Sequence, residues 1–145
     1  MAVFVMGASL LAGQPHHAAP DAAIQVFAAK HWRRINSLSG FPPGVRKQLG
    51  FIANPWEDAD LSCAMRPGVP TRQLYFGGQS GQAFFVYYIQ GMGIVASPRV
   101  VLFEPDLHGN LIQQAAWDTV GGVSTVGALM DKARTGDFAP VVTAK

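Results

Sequence analysis

The sequence contains a single cysteine and few charged residues. Because Cys63 has no second cysteine to pair with, neither a disulfide nor an all-cysteine metal site can form within the chain, and we expect a buried thiol. Charged residues make up 14% of the 145 residues, compared with roughly 25% in an average soluble domain. The net charge of +2 is small, so neither nucleic acid nor an anionic membrane is the expected partner. With 49% apolar residues, we expect a globular protein, part of whose surface is apolar or covered.

The most informative apolar run lies at the amino terminus and is too short to cross a bilayer. Residues 2–13, followed by the polar stretch 14–19, are typical of the hydrophobic region of a signal peptide. The positively charged start of such a peptide is missing, because the first lysine or arginine is Lys30. We therefore predict an incomplete leader at residues 1–19 and a single domain at residues 20–145. The leader implies a periplasmic or secreted protein, whereas the alternative, a buried strand, implies a cytoplasmic one.

Two glycine-bearing segments superficially match known motifs. Gly7 follows an apolar run as in a dinucleotide fingerprint, but Leu11 and Ala12 occupy the crowded positions of that motif. Residues 77–81 lack the lysine and hydroxyl residue of a phosphate-binding loop, and a second apolar strand follows them instead of a helix. We therefore predict a hairpin turn at residues 77–81, no cofactor and no metal ion.

Residues 20–38 have the apolar periodicity of an amphipathic helix. Pro20 suits the first turn, and the negative charge of Asp21 is stabilised by the positive end of the helix dipole. At about 100° per residue, one face would carry Ile24, Phe27, Ala28, His31, Ile35 and Leu38. On this face His31 would be a core or boundary histidine that needs a hydrogen-bond partner.

A shorter helix and a long loop come next. Residues 41–43 can begin the helix, and Gly50 suits its end. Residues 53–71 contain three prolines and no clear period, which predicts a long connecting loop. We expect Trp56 to fix this loop to the body of the protein, and Asp60 to be solvated with its acidic neighbours.

The pattern then changes to strands separated by short, glycine-bearing links. Four strands are predicted at residues 72–76, 82–90, 99–104 and 110–117. Links this short favour antiparallel neighbours, because parallel neighbours need a crossover of roughly a dozen or more residues. Ser124 or Thr125 can then cap a final helix that runs to Arg134, with Gly136 just beyond it.

The predicted fold class is α+β. It has an N-terminal helical pair, a four-stranded antiparallel β-meander and a C-terminal helix packed on the sheet. This order of elements is similar to the layout of small exported inhibitor and assembly-factor modules. The similarity covers about residues 20–117, concerns architecture only, and transfers no functional residues.

The second predicted strand is apolar on both faces, whereas a half-exposed strand alternates with polar residues. Both faces must therefore be covered, either by other parts of the chain or by a partner. Aromatic side chains on an open face would form a binding platform, because tyrosine gives contact area with little loss of side-chain entropy. We predict a binding surface formed by Tyr75, Phe85, Tyr87, Arg72 and Arg99.

Two other groups of residues give alternative interpretations. Glu104, Asp106 and His108 flank one turn, where they could act as acid and base or hold a metal ion. Between residues 22 and 56 the chain has basic residues and no acidic one, which could bind an anion or RNA. These basic residues are Lys30, Arg33, Arg34, Arg46 and Lys47. Simple exposure to solvent is the competing interpretation of both groups.

The leading functional hypothesis is a small exported, non-catalytic module that binds another protein, in the manner of an inhibitor or immunity protein. The apolar surplus on the second strand motivates it. One alternative is a small hydrolase or metal-dependent enzyme that uses Glu104, Asp106 and His108. The other is a cytosolic anion or RNA binder that uses the basic region, and a homodimer through the sheet is a further expectation for the partner.

Overall fold

The computed structural model describes residues 22–62, 66–91 and 96–141. The predicted leader at residues 1–19 and Cys63 lie outside these ranges. Three α-helices and a six-stranded antiparallel sheet form the fold, which confirms the predicted α+β class. The helices are α1 (Ala22–Ala29), α2 (Pro43–Leu49) and α3 (Val126–Arg134), with a 3-10 turn at Leu38–Gly40. The strands are β1 (Arg33–Ile35), β2 (Arg72–Ser80), β3 (Ala83–Gln90), β4 (Ser97–Pro105), β5 (Leu111–Thr119) and β6 (Phe138–Pro140).

The sheet has more strands than the sequence predicts. Its order follows the chain from β1 to β6, and the predicted four-stranded meander corresponds to β2–β5. At the outer edges, β1 pairs with residues 77–79 of β2, and β6 pairs with residues 117–119 of β5. Each edge strand has only 3 residues, too few to show the alternation that identifies a strand in a sequence. Both edge strands therefore depend on a longer neighbour.

The helix predicted at residues 20–38 is much shorter in the structure. Its start lies outside the described residues, and its second half becomes β1 and the 3-10 turn. The indole Nε1 of Trp32 donates to the Phe27 carbonyl at 2.9 Å, and Arg134 donates to the Ala28 carbonyl at 3.1 Å. Because these side chains satisfy carbonyls at the end of α1, the chain can leave the helix and enter the sheet.

Strand β3 is buried on both faces, and the chain itself covers both. Phe85 and Tyr87 pack in a cluster with α1 and α3, whereas Phe84 and Val86 point the other way and pack with α2. The two N-terminal helices therefore lie on opposite faces of the sheet, and the predicted helical pair is wrong. The C-terminal helix packs on the sheet as predicted, with Leu129 fully buried in the first cluster.

The loop between α2 and β2 is fixed by polar contacts rather than by Trp56. Ala53 forms a parallel bridge with Gln73, and the Gln73 side chain donates to three carbonyls of the loop. Asp60, which was expected to be solvated, is buried, and it accepts hydrogen bonds from both the backbone and the hydroxyl of Ser62. Trp56 is 70% exposed, so the expectation that it holds the loop is wrong.

Gly77 and Gly78 lie inside β2 rather than in the predicted hairpin turn. A Cβ atom on Gly77 would lie 2.2 Å from a ring carbon of Phe41 and 2.5 Å from the Phe85 carbonyl oxygen. A Cβ atom on Gly78 would lie 2.3 Å from a ring carbon of Phe85. The turn itself begins at Gly81, which has a φ of +60°. The two strand glycines are thus required because aromatic rings pack directly against the β2 backbone.

Gly77→Ala is expected to lower the free energy of unfolding by about 1–3 kcal/mol, because the new methyl group would overlap a backbone oxygen and a packed ring. Gly44→Ala is the matched control, since nothing lies within 4 Å of its added Cβ. Alanine in α2 should leave stability unchanged or raise it by up to about 1 kcal/mol. Chemical denaturation measures both values. Wild-type stability of the Gly77→Ala protein would contradict the packing around β2.

Candidate functional site

The residues of the predicted binding surface are divided between the two faces of the sheet. Phe85 and Tyr87 are 0% exposed, so their side chains belong to the core and contribute no surface. Tyr75 is half-buried on the same face. Arg72 and Arg99 lie around Tyr88 on the α2 face. The structure therefore has two separate surface regions in place of one aromatic platform.

A β-bulge in β2 determines where Tyr75 points. The pairing of β2 with β3 shifts between Leu74 and Phe76, which leaves Tyr75 as the extra residue. Leu74 packs with the α2 cluster, whereas the rings of Tyr75 and Phe76 lie 4.9 and 5.1 Å from that of Tyr87 on the other face. Bulges commonly redirect a side chain in this way. Two consecutive aromatic side chains of β2 thus face α1 and α3.

Tyr75 lines a cavity of about 560 Å³ between the sheet and the start of α3. We call this cavity the Tyr75 pocket. Its lining residues are Arg34, Tyr75, Phe76, Gly122, Val123, Ser124 and Ala128. The backbone N–H of Val123 donates to the Tyr87 hydroxyl at 3.1 Å, and Lys132 donates to the Val120 carbonyl. The segment before α3 is therefore anchored to the core and to the helix, and it forms a fixed wall of the pocket.

Arg34 forms the charged side of the Tyr75 pocket. Its guanidinium carbon lies 4.3 Å from the centroid of the Phe76 ring, in a cation–π arrangement. Nε donates to Asn36 Oδ1 at 2.6 Å, and Nη1 donates to the Ser124 carbonyl at 2.6 Å. Among the described residues, no carboxylate pairs with Arg34. The guanidinium is therefore held in one position, and no carboxylate of the described ranges offsets its positive charge.

Arg72 and Arg99 meet around Tyr88 on the opposite face. The guanidinium carbon of Arg72 lies 5.8 Å from the Tyr88 ring centroid, and Arg99 is the neighbour of Tyr88 on β4. Nε and Nη2 of Arg99 donate to the two carboxylate oxygens of Asp118 at 2.8 and 3.3 Å. These hydrogen bonds raise the pKa of Arg99 above its ordinary value. Arg99 is thus fixed across β4 and β5.

Two large aromatic side chains are exposed on the loop that follows α2. Phe51 is 62% exposed, and Trp56 is more so. Nη2 of Arg72 donates to the Phe51 carbonyl at 3.3 Å, and Gln73 binds the loop that carries Trp56. We call Phe51, Trp56, Arg72 and Arg99 the arginine surface. It combines aromatic area with positive charge at one end of the sheet.

The structure gives the three predicted residues of the turn between β4 and β5 different contacts. Asp106 Oδ1 accepts the backbone N–H groups of His108 and Asn110 at 2.8 and 2.9 Å, so this carboxylate closes the turn. Glu104 lines a separate cleft together with Lys30. In the described ranges, no group of three histidine, cysteine, aspartate or glutamate residues could hold a metal ion. Glu104, Asp106 and His108 thus have different surroundings.

The basic residues of the predicted helical region, residues 22–56, are divided between helix and strand. Arg33 and Arg34 are consecutive residues of β1, so their side chains leave opposite faces of the sheet. Arg46 and Lys47 are exposed in the last turn of α2, where the negative end of the helix dipole stabilises positive charge. His31 is exposed beyond the end of α1, so its prediction as a core or boundary histidine is wrong.

Comparisons with known proteins leave the structure as the guide to function. No protein-family model, no curated protein and no solved structure matches the chain. Within residues 22–62, 66–91 and 96–141, no helix is both long and apolar enough to cross a membrane.

The sequence did not reveal that Arg34 and Tyr75 line one cavity, or that Phe51 and Trp56 are exposed. Arg34 belonged to the predicted basic group, but a helical period assigned it to a solvated face. A bulge such as that at Tyr75 has no signal in a single sequence, because only the strand register reveals it. Phe51 directly follows Gly50, which ends α2 with a φ of +66°. A phenylalanine just after a helix end is as compatible with a buried ring as with an exposed one, so the sequence did not indicate that the Phe51 ring is exposed.

The titration of Tyr75 provides a test of the pocket. Burial, and then the charge of the Tyr87 phenolate, raise the pKa of Tyr75 above the ordinary value of 10.0. Because the folded-state pKa is the higher one, its stabilising contribution is complete below about pH 10 and is lost as pH rises through the folded pKa. Tyr75→Phe should therefore show a smaller loss of stability above about pH 10 than wild type. Denaturation at several alkaline pH values would show this, and identical profiles would contradict it.

Proposed function

We propose that this protein is a non-catalytic module that binds another protein through the arginine surface. The main support is that Trp56 and Phe51 are largely exposed on a loop that is hydrogen-bonded to Arg72. Tryptophan and arginine are enriched among the residues that dominate binding energy in protein interfaces. A large aromatic side chain left in water retains apolar area that a partner can bury.

The arginine surface is held in shape before any partner arrives. The Ala53 bridge and the Gln73 side chain fix the loop, and the paired hydrogen bonds with Asp118 fix Arg99. Residues that are already ordered lose less conformational entropy on binding. This supports recognition by a largely rigid surface rather than by a segment that folds on contact.

The charges of this surface indicate the chemistry of the partner. In the part of the chain that the structure describes, no carboxylate forms an ion pair with Arg72, while Arg99 is balanced by Asp118. A partner that presents carboxylates beside an apolar patch would complement Arg72, Phe51 and Trp56. We therefore propose an acidic protein surface as the partner. Export, predicted from residues 2–13, and a homodimer through the sheet remain predictions.

Site-specific crosslinking in the producing cell tests this proposal. A photoreactive amino acid at Trp56 should crosslink to a protein that the same group at Leu107 does not reach. Leu107 is the matched control because it is a fully exposed apolar residue in the turn at the other end of β4. Absence of any product specific to position 56 would count against the proposal, and a product formed only with a second copy of the chain would favour the homodimer.

Binding of the purified partner then tests the individual side chains. Trp56→Ala and Arg72→Ala should each raise the Kd by about tenfold or more, since removal of a residue that dominates an interface commonly costs about 2 kcal/mol or more. Leu107→Ala should leave the Kd unchanged. Added salt should weaken wild-type binding more than binding of the Arg72→Ala protein. Wild-type affinity in both variants would refute the arginine surface as the binding site.

A further inference from the structure

The Tyr75 pocket combines apolar walls with a single cationic group. Phe76, Val123 and Ala128 supply apolar lining, and Arg34 supplies the charge. Its volume of about 560 Å³ falls within the range of small-molecule sites, roughly 300–1,000 Å³. The pocket lies on the sheet face opposite Arg72 and Arg99. Its lining shares no residue with the arginine surface, so a ligand in the pocket is independent of the proposed protein partner.

Arg34 keeps hydrogen-bond donors available for a ligand. A guanidinium has five N–H groups, and the structure uses one on Nε and one on Nη1. Nη2 makes no hydrogen bond to a described residue. Nη2 and the second N–H of Nη1 thus remain available to donate to the oxygens of a carboxylate.

The Tyr75 hydroxyl is the second donor at the pocket. Within the described ranges it has ring contacts but no hydrogen-bond partner. At neutral pH the phenol is protonated, because burial raises its pKa above the ordinary value. A protonated phenol and a guanidinium that line one cavity favour an anion that accepts from both groups.

The apolar lining of the Tyr75 pocket and its one described cation determine which kind of anion would bind. A phosphate dianion would lose much hydration on entering a site with one cation and apolar walls, and a single Arg34 would leave half its charge uncompensated. A carboxylate carries one charge, and an apolar body attached to it would contact Val123 and Ala128. The matching ligand is therefore a monoanion with an apolar part rather than an inorganic anion.

The pocket is rigid enough to recognise such a ligand. Arg34 is stacked on Phe76 and bound to the Ser124 carbonyl. The start of α3 is capped by the Thr125 side chain, which accepts from Ala128 N at 3.1 Å. Ligands bind more tightly to sites whose groups are already ordered. We propose that the Tyr75 pocket binds a small organic acid with one carboxylate and an apolar body, held by Arg34 and Tyr75.

Titration of the full chain with 3-phenylpropionate, followed by two-dimensional amide NMR, tests this site. Saturable shifts are expected at pocket residues such as Val123 and Ser124. The neutral amide of the same acid should bind at least about tenfold more weakly, since it lacks the charge that Arg34 recognises. Inorganic phosphate is the third probe, and it should bind more weakly than the acid.

Matched arginine variants connect the binding to one side chain. Arg34→Ala should raise the Kd by about 10- to 100-fold, whereas Arg33→Ala, on the other face of the same strand, should change it by less than about twofold. Tyr75→Phe removes only the hydroxyl and should raise the Kd by about three- to tenfold. Arg34→Lys keeps the charge without the fork and should give an intermediate loss. Thermal unfolding of each protein reports whether it is folded.

Four results would overturn the proposal. They are no saturable shift with the acid, equal binding of the acid and its amide, tighter binding of phosphate than of the acid, and equal losses for Arg33→Ala and Arg34→Ala. If Arg34→Ala fails to fold, the affinities of Arg34→Lys and Tyr75→Phe for the acid test whether the pocket binds it. Wild-type affinity in both of these would overturn it as well.

Discussion

The burial of β3 on both faces is the constraint from which the rest of the structure follows. Its residues alternate between the two sides of the sheet, and both sets are apolar. One face needs α1 and α3, and the other needs α2 and the loop after it. The aromatic side chains of β3 are buried in these two clusters. The sheet residues that can contact a partner therefore lie on the neighbouring strands and their loops.

Strand β2 accommodates that packing and thereby creates the Tyr75 pocket. Gly77 and Gly78 allow aromatic rings to lie against its backbone, and the bulge at Tyr75 turns a second aromatic residue toward α3. The short strand β1 then carries Arg34 over Phe76. A charged side chain and a half-buried phenol line one cavity here because an edge strand, a bulge and the start of a helix converge.

Elements with strong local signals were predictable from the sequence. The meander β2–β5 follows from long apolar runs with glycine-bearing links, and α3 lies between a Thr125 cap and Gly136, as its sequence indicates. The helix at 20–38 failed because the apolar period continues past the point where Trp32 turns back onto Phe27. Local periodicity cannot distinguish these outcomes, since a tertiary contact decides between them.

The candidate binding residues were likewise only partly predictable from the sequence. The sequence singled out Arg72, Arg99 and Tyr75, but it also included Phe85 and Tyr87, which the core absorbs. By itself the sequence determined the α+β class and the strand that must be buried, because hydrophobic periodicity is a local property of the chain. Which aromatic rings are covered, and which cation lines the same cavity as Tyr75, was decided only by the tertiary structure, because both depend on strand register and on contacts between residues far apart in the chain.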